Sequence, residues 1–233
     1  MFSKQAVVAA LSLVLAASAQ AGVVVSAQSA TILSGGPGFG NINDTFNLFG
    51  LETDYISGVT DFATYFAGNP QHTTIFDETP NDGVQGDYEW FSNSGITSAS
   101  VSYDLGSVIT TQGLALWNED AAGIGKLNIL GSVNGTTWFT LASNLSPTNN
   151  PLDTTTQGTY GADLFNWTAT ATRYIRLDMS SCPQPGGDGF LGCSIGEVAF
   201  HSTSVVPETS TLSMGLLGLG LVGVALARRR RMD

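Results

Sequence analysis

Charge is scarce in this chain. Asp, Glu, Lys and Arg make up only 12% of its 233 residues, about half the quarter usual in soluble domains. Coiled coils and helical bundles, built from stretches rich in Ala, Glu, Lys and Leu, are excluded by that composition. Basic residues are scarcer still, with eight in all and four of them together at Arg228–Arg231. At a formal net charge of −11 the surface repels phosphate, which excludes nucleic acid as a partner. There are two histidines, His72 and His201, and no His-Glu-x-x-His or Gly-x-Ser-x-Gly motif. A zinc-helix hydrolase and a nucleophile-elbow hydrolase are thereby excluded. Two cysteines, Cys182 and Cys193, are too few for a structural zinc site.

What is there is acidic and polar. Between Gly22 and Val206 stand 17 Asp or Glu against Lys126, Arg173 and Arg176, giving 3 − 17 = −14. Such a body favours cations or neutral, hydroxyl-rich ligands. Glu119-Asp120 and Asp87-x-Glu89 are paired carboxylates, but a glycosidase couple must face across a cleft with one pKa raised, which sequence neighbours do not establish. The chain is therefore read as non-catalytic.

Both ends carry targeting signals. Residues 1–21 form a signal peptide: Lys4 supplies the positive start, Ala6–Ala17 an apolar run of 12, and Ala19-Gln20-Ala21 a small-x-small cleavage site. At the other end Leu212–Ala227 is an uncharged run of 16, followed by the four arginines. At 1.5 Å per residue it covers about 24 Å, and arginine snorkelling extends it toward a membrane span. The basic flank keeps its own side cytoplasmic, so the body faces outward. Val206, Pro207 and Glu208 stand just before the run. The order Val-Pro-Glu, glycine-rich apolar run, terminal arginines resembles the PEP-CTERM sorting signal over residues 206–232, with Thr209 where its consensus has a second proline. The resemblance implies export by an exopolysaccharide-producing Gram-negative bacterium and handling by an exosortase, toward the cell surface or extracellular matrix.

Residues 22–203 read as one all-β domain. Val101, Tyr103 and Leu105 alternate with Ser102 and Asp104, and Ile175, Leu177 and Met179 with Arg176 and Asp178. Gln112-Gly113 is expected to turn the chain before Leu114. Asn134-Gly135 is expected to form a two-residue hairpin turn with both residues at positive φ. Short strands between Gly/Asn/Ser/Pro turns point to a β-sandwich or jelly roll. In an exported chain, two cysteines flanking a Gly/Pro-rich loop point to a Cys182–Cys193 disulfide.

Five segments in order resemble the coagulation factor 5/8 type C (discoidin) family. They are Val101–Gly106, Leu114–Trp117, Leu127–Trp138, Arg173–Leu177 and Ile195–Phe200. The resemblance implies a galactose-binding-like β-sandwich that serves as an extracellular binding module. It also implies one structural calcium ion, for which Glu197 matches the final-strand glutamate and Asp77 or Asp82 offers loop carboxylates. For an extracellular polysaccharide, Trp117, Asn118 and Glu119 are the candidate ligand contacts, an aromatic face beside polar groups. Trp138 is assigned to packing.

Overall fold

The computed structural model describes residues 22–74, 88–152 and 158–203. The signal peptide, the sorting signal with its apolar run, and Asp77 and Asp82 lie outside the described residues. Among the described residues no helix is long and apolar enough to cross a membrane.

The protein is mostly β-sheet. Its strands are β1 (Val23–Val25), β2 (Ser29–Ser34), β3 (Phe39–Gly40), β4 (Gln71–Thr74), β5 (Trp90–Phe91), β6 (Ser98–Trp117), β7 (Lys126–Ser132), β8 (Phe139–Leu145), β9 (Gly158–Ser180), β10 (Ser194–Ile195) and β11 (Glu197–Ser202). Helix α1 (Phe62–Ala67) is one short element on the flank. Asp61 caps it by accepting the Thr64 N–H at 2.7 Å, and Phe62 and Tyr65 hold it by burying their rings.

Two long strands organise everything else. The first half of β6 pairs antiparallel with the last part of β9, Ser98 opposite Ser180 and Asp104 opposite Tyr174. Its second half pairs with the first part of β9, Ile109 opposite Thr172 and Trp117 opposite Ala162. Between them the register breaks at residues 105–108, where Gly106 has φ +81°. A Cβ there would also meet the flexible end of the Gln28 side chain at 2.3 Å, and the positive φ is what favours glycine at this bend.

The bend folds one hydrogen-bonded sheet into two layers. One runs β2–β6–β9–β7–β8, and the other runs β1–β11–β6–β9–β4. Val101, Tyr103, Ile175, Leu177 and Ile129 from the first layer share a core with Leu114, Leu116, Val198 and Phe200 from the second. Tyr103 and Phe200 touch across it with ring centroids 5.8 Å apart. Alternation at period two makes this possible: in the first layer polar Ser100, Asp104, Arg176 and Asp178 stand between the inward apolar side chains. In the second layer Ala115, Trp117 and Ala199 stand between them and are buried in a second cluster with Val24, Phe62 and Tyr65. Each side chain fully buried this way contributes about 1.5–3 kcal/mol.

The layered arrangement gives the domain two ends. Gly22, Thr203 and the Gly106 bend lie at the terminus end, where the Thr203 N–H bonds to Thr110 O. At the opposite, loop end lie residues 34–56, 88–97, 117–126, 146–152 and 181–196. A small sheet, β10–β5–β3, covers that end.

Two expected turns take other forms. Gln112-Gly113 lies within β6 as a register shift against β9, and Gln112 reaches the His201 ring at 3.0 Å. The strand bends at Gly106 instead, without reversing. Asn134-Gly135 does join β7 to β8, but through a six-residue loop, 133–138, in which Gly135 has φ +74° and Asn134 does not enter positive φ. The Asn134 side chain closes the loop itself, its Oδ1 accepting the Thr136 and Thr137 N–H groups at 3.0 and 2.9 Å.

Candidate functional site

The disulfide anchors the loop end. Cys182 and Cys193 are bonded, their Cα atoms 4.9 Å apart. Ser92 Oγ accepts the Cys193 N–H at 2.9 Å, and the Gln184 N–H bonds to Gly123 O. The residues bracketed by the bridge are thereby tied to both neighbouring loops.

The three expected ligand contacts are structural, and the expectation is corrected here. Trp117 is fully buried, its Nε1–H donating to Pro70 O at 3.0 Å. Asn118 is equally buried; its Oδ1 accepts the Ile124 N–H at 2.8 Å and its Nδ2 donates to Thr148 O and Gln184 Oε1 at 2.8 and 2.9 Å. Glu119, 3% exposed, accepts N–H bonds from Ala121 and Ala122 and the Ser194 hydroxyl at 2.6 Å. These side chains spend their polar atoms on loop backbone and present no face to a ligand. The sequence pattern Trp-Asn-Glu-Asp looks the same whether it pins a loop from inside or faces water.

Burial pushes the Glu119 carboxyl up to about 8, against the opposing pull of its three donors. His72 is displaced the other way. Enclosed against the Tyr160 ring, it titrates at about 4 because burial disfavours its cation. Its Nδ1 lies 3.7 Å from Glu89 Oε1, beyond hydrogen-bond length, so the pair is a neutral imidazole beside a carboxylate that accepts the Tyr160 hydroxyl.

Glu197 is the most exceptional group of this end. It is fully buried; Oε1 accepts one long bond from the Leu48 N–H at 3.4 Å, and Oε2 has no hydrogen-bond partner. Burial raises its pKa well above the carboxylate range, and the charges of Asp44 and Asp54 raise it further. A buried carboxylate oxygen with no donor is costly unless it is protonated or meets a cation. This orphaned oxygen fits the calcium that the family resemblance implies, since calcium takes six to eight oxygens, carboxylate and carbonyl. Among the described residues no three His, Cys, Asp or Glu side chains already converge on a metal site. Asp44 and Asp54 carry no sequence signature that separates them from solvated loop acids.

An open cleft of about 290 Å³ lies beside this region, lined by Leu48, Phe49, Glu52, Asp54, Thr73 and Tyr88 among others. The Phe49 and Tyr88 rings stand 6.0 Å apart at 31°, and Phe49 is nearly half exposed. An aromatic wall facing two carboxylates can stack a sugar ring and accept from its hydroxyls. None of these residues belongs to a motif, so only the packing of residues 48–54 against Tyr88 reveals them.

Several solved structures are similar to this chain. Chitosan-binding module 1 of a Paenibacillus sp. IK-5 chitosanase/glucanase is 20% identical, covering 76% of this chain and 95% of that one at a TM-score of 0.43. The C-terminal domain of a Bacteroides fragilis chitobiase is 14% identical, covering 77% and 97% at 0.44. The CBM32 of AlyQ, solved with 4,5-unsaturated mannuronic acid, is 14% identical, covering 76% and 97% at 0.40. No curated protein matches the chain. Residues 205–231, which include Val206, Pro207 and Glu208, match the PEP-CTERM protein-sorting motif, so the chain carries that sorting signal at its C-terminus.

Proposed function

We propose that this chain is an exported, non-catalytic surface or extracellular-matrix protein with a carbohydrate-binding β-sandwich of jelly-roll, galactose-binding-like type. The observation that carries the reading is the sorting motif at 205–231. An apolar run and terminal arginines follow its Val-Pro-Glu, which supports transient membrane anchoring with the body outward and processing by an exosortase-type enzyme. The aromatic and carboxylate cleft at the loop end supports binding of an extracellular polysaccharide. Burial of Glu119 and Asp120 supports the non-catalytic reading, because a glycosidase acid must reach its substrate.

One structural calcium ion belongs to the same reading. Glu197 would hold it, with Asp77 or Asp82, or Asp44 and Asp54, as further oxygen donors. The ion would neutralise a carboxylate that the core otherwise leaves unpaired, tying β11 to an early loop.

Glycan-array binding with and without calcium tests this. Specific, calcium-strengthened binding is expected, and Tyr88→Ala should remove it. The burial of Trp117, Asn118 and Glu119 favours a second reading, a cohesive matrix protein without specific glycan binding. A folded protein silent across the array would establish that one instead. Fractionation that found the intact chain in the cytoplasm would overturn both.

A further inference from the structure

The body holds only two arginines, Arg173 and Arg176, and both are spent on one surface feature. Arg173 Cζ lies 5.0 Å from the Tyr174 ring centroid, and Arg176 Cζ lies 5.1 Å from that of Trp138. Each guanidinium is itself fixed. Arg173 donates to both carboxylate oxygens of Asp104 at 2.9 Å, and Arg176 donates to Asp178 at 2.8 Å. Asp178 also accepts the Ser100 hydroxyl at 2.6 Å.

Trp138, expected to be a packing residue, is in fact half-buried at the end of the 133–138 loop. That loop is held by its own bonds. Ser132 Oγ accepts the Asn134 and Gly135 N–H groups at 3.2 and 2.9 Å. Trp138 and Tyr174 line a cleft of about 320 Å³ on the outer face of the β2–β6–β9–β7–β8 layer, toward the terminus end. Its remaining polar lining includes Ser29, Thr31, Ser102 and Asn134, hydroxyls and an amide. The one acid, Asp104, is already neutralised by Arg173.

We infer that this cleft is a second saccharide-binding site, taking an uncharged pyranose chain stacked against Trp138 and Tyr174. Two rings held in place by cations supply apolar area without an ordering cost at binding. Hydroxyl and amide groups match ring hydroxyls, which both donate and accept. With its charges mutually satisfied, the cleft offers neither a cation for a uronate nor an unpaired anion for an aminosugar. Peptide is disfavoured because no enclosed apolar pocket receives a side chain. The inference rests on the sugar-binding reading and extends it. A domain with one site at each end bridges two polysaccharide chains.

The experiment follows the four tryptophan indole NMR resonances of the full-length protein in a detergent without a sugar headgroup, titrated with cellohexaose, laminarihexaose or mannohexaose at millimolar concentration. The Trp138 resonance is expected to shift with at least one of them, while those of buried Trp90 and Trp117 stay. Thr31→Tyr, which fills the cleft from an exposed strand position and removes no hydrogen bond, should weaken that response on the order of tenfold. Trp138→Ala, read through the backbone amides of Ser102 and Gly135, should weaken it as much with an unchanged thermal midpoint.

A silent Trp138 resonance with all three sugars overturns the proposal. So does an undiminished response in Thr31→Tyr, or a stronger one to an oligogalacturonate. Shifts confined to Phe49 and Tyr88 amides would overturn this site and leave the loop-end cleft standing; shifts confined to Trp138 would do the reverse.

Discussion

The two ends of the sandwich treat charge in opposite ways. At the terminus end Asp104 and Arg173 pair at the surface, with side chains 22% and 38% exposed, and the arginine holds the carboxyl below its ordinary range. At the loop end Glu119 and Glu197 are buried and take their described hydrogen bonds from backbone N–H groups and a hydroxyl, and His72 is buried beside Glu89. Exposed pairs satisfy themselves at little gain, because water already solvates them. Buried carboxylates must instead take backbone donors, a proton or an ion. The loop end is therefore where stability depends most on solution conditions, and the terminus end is where it depends least.

The sharpest break of that contrast is Glu119→Ala, which strands the Ala121 and Ala122 N–H groups and the Ser194 hydroxyl without acceptors. A loss of about 3–5 kcal/mol is expected in urea unfolding, since each buried donor left unpaired costs about 1–3 kcal/mol. Replacing Cys182 and Cys193 together by Ala should cost about 2–3 kcal/mol on the chain-entropy account of an 11-residue separation.

Glu197→Gln sharpens the comparison, because its sign depends on calcium. In chelator at pH 8 the variant should be about 1–2 kcal/mol more stable than the parent, having removed the cost of a buried unpaired charge. In millimolar calcium the parent should gain about 2.7 kcal/mol at a hundredfold excess over Kd, and the variant should not. Thermal melts in both buffers measure the difference. Equal parent midpoints would mean that no ion meets Glu197.

The pH dependence follows from the same groups. Glu119 and Glu197 have folded pKa values above their unfolded ones, so the folded state binds the extra protons. Their contribution is fully present below about pH 4.5 and is lost as pH rises, for Glu119 through about 8. His72 acts oppositely: held neutral, it favours the folded state above about 6.5, and that contribution is lost as pH falls through about 4. Metal-free protein should therefore melt at its highest temperature in mildly acidic buffer and fall off on both sides. At the terminus end Asp104→Asn should change stability least, by less than about 1 kcal/mol.

The strands were legible in the sequence, because alternation at Val101–Leu105 and Ile175–Met179 states which side chains face inward. The disulfide was legible from two cysteines flanking a loop in an exported chain. The turns were less so. Asn134 was read for its backbone conformation, yet its side chain makes the turn, and the bend at Gly106 was hidden inside a strand motif. The ligand contacts were misplaced because an aromatic followed by polar residues satisfies two environments equally well.

Local rules thus determined the β-sheet content, the net charge of the body and the sorting signal, each written in adjacent residues. Tertiary structure alone decided which polar side chains were consumed. Trp117 closes the core while Trp138 stands in a surface cleft. Both are single tryptophans at or beside strand ends, and what separates them is what the rest of the chain lays over them. Phe66 and Pro70 cover Trp117, whereas Trp138 meets Arg176 of β9 on the outer face. Burial is a property of such long-range pairing, and a window of neighbours contains no term for it.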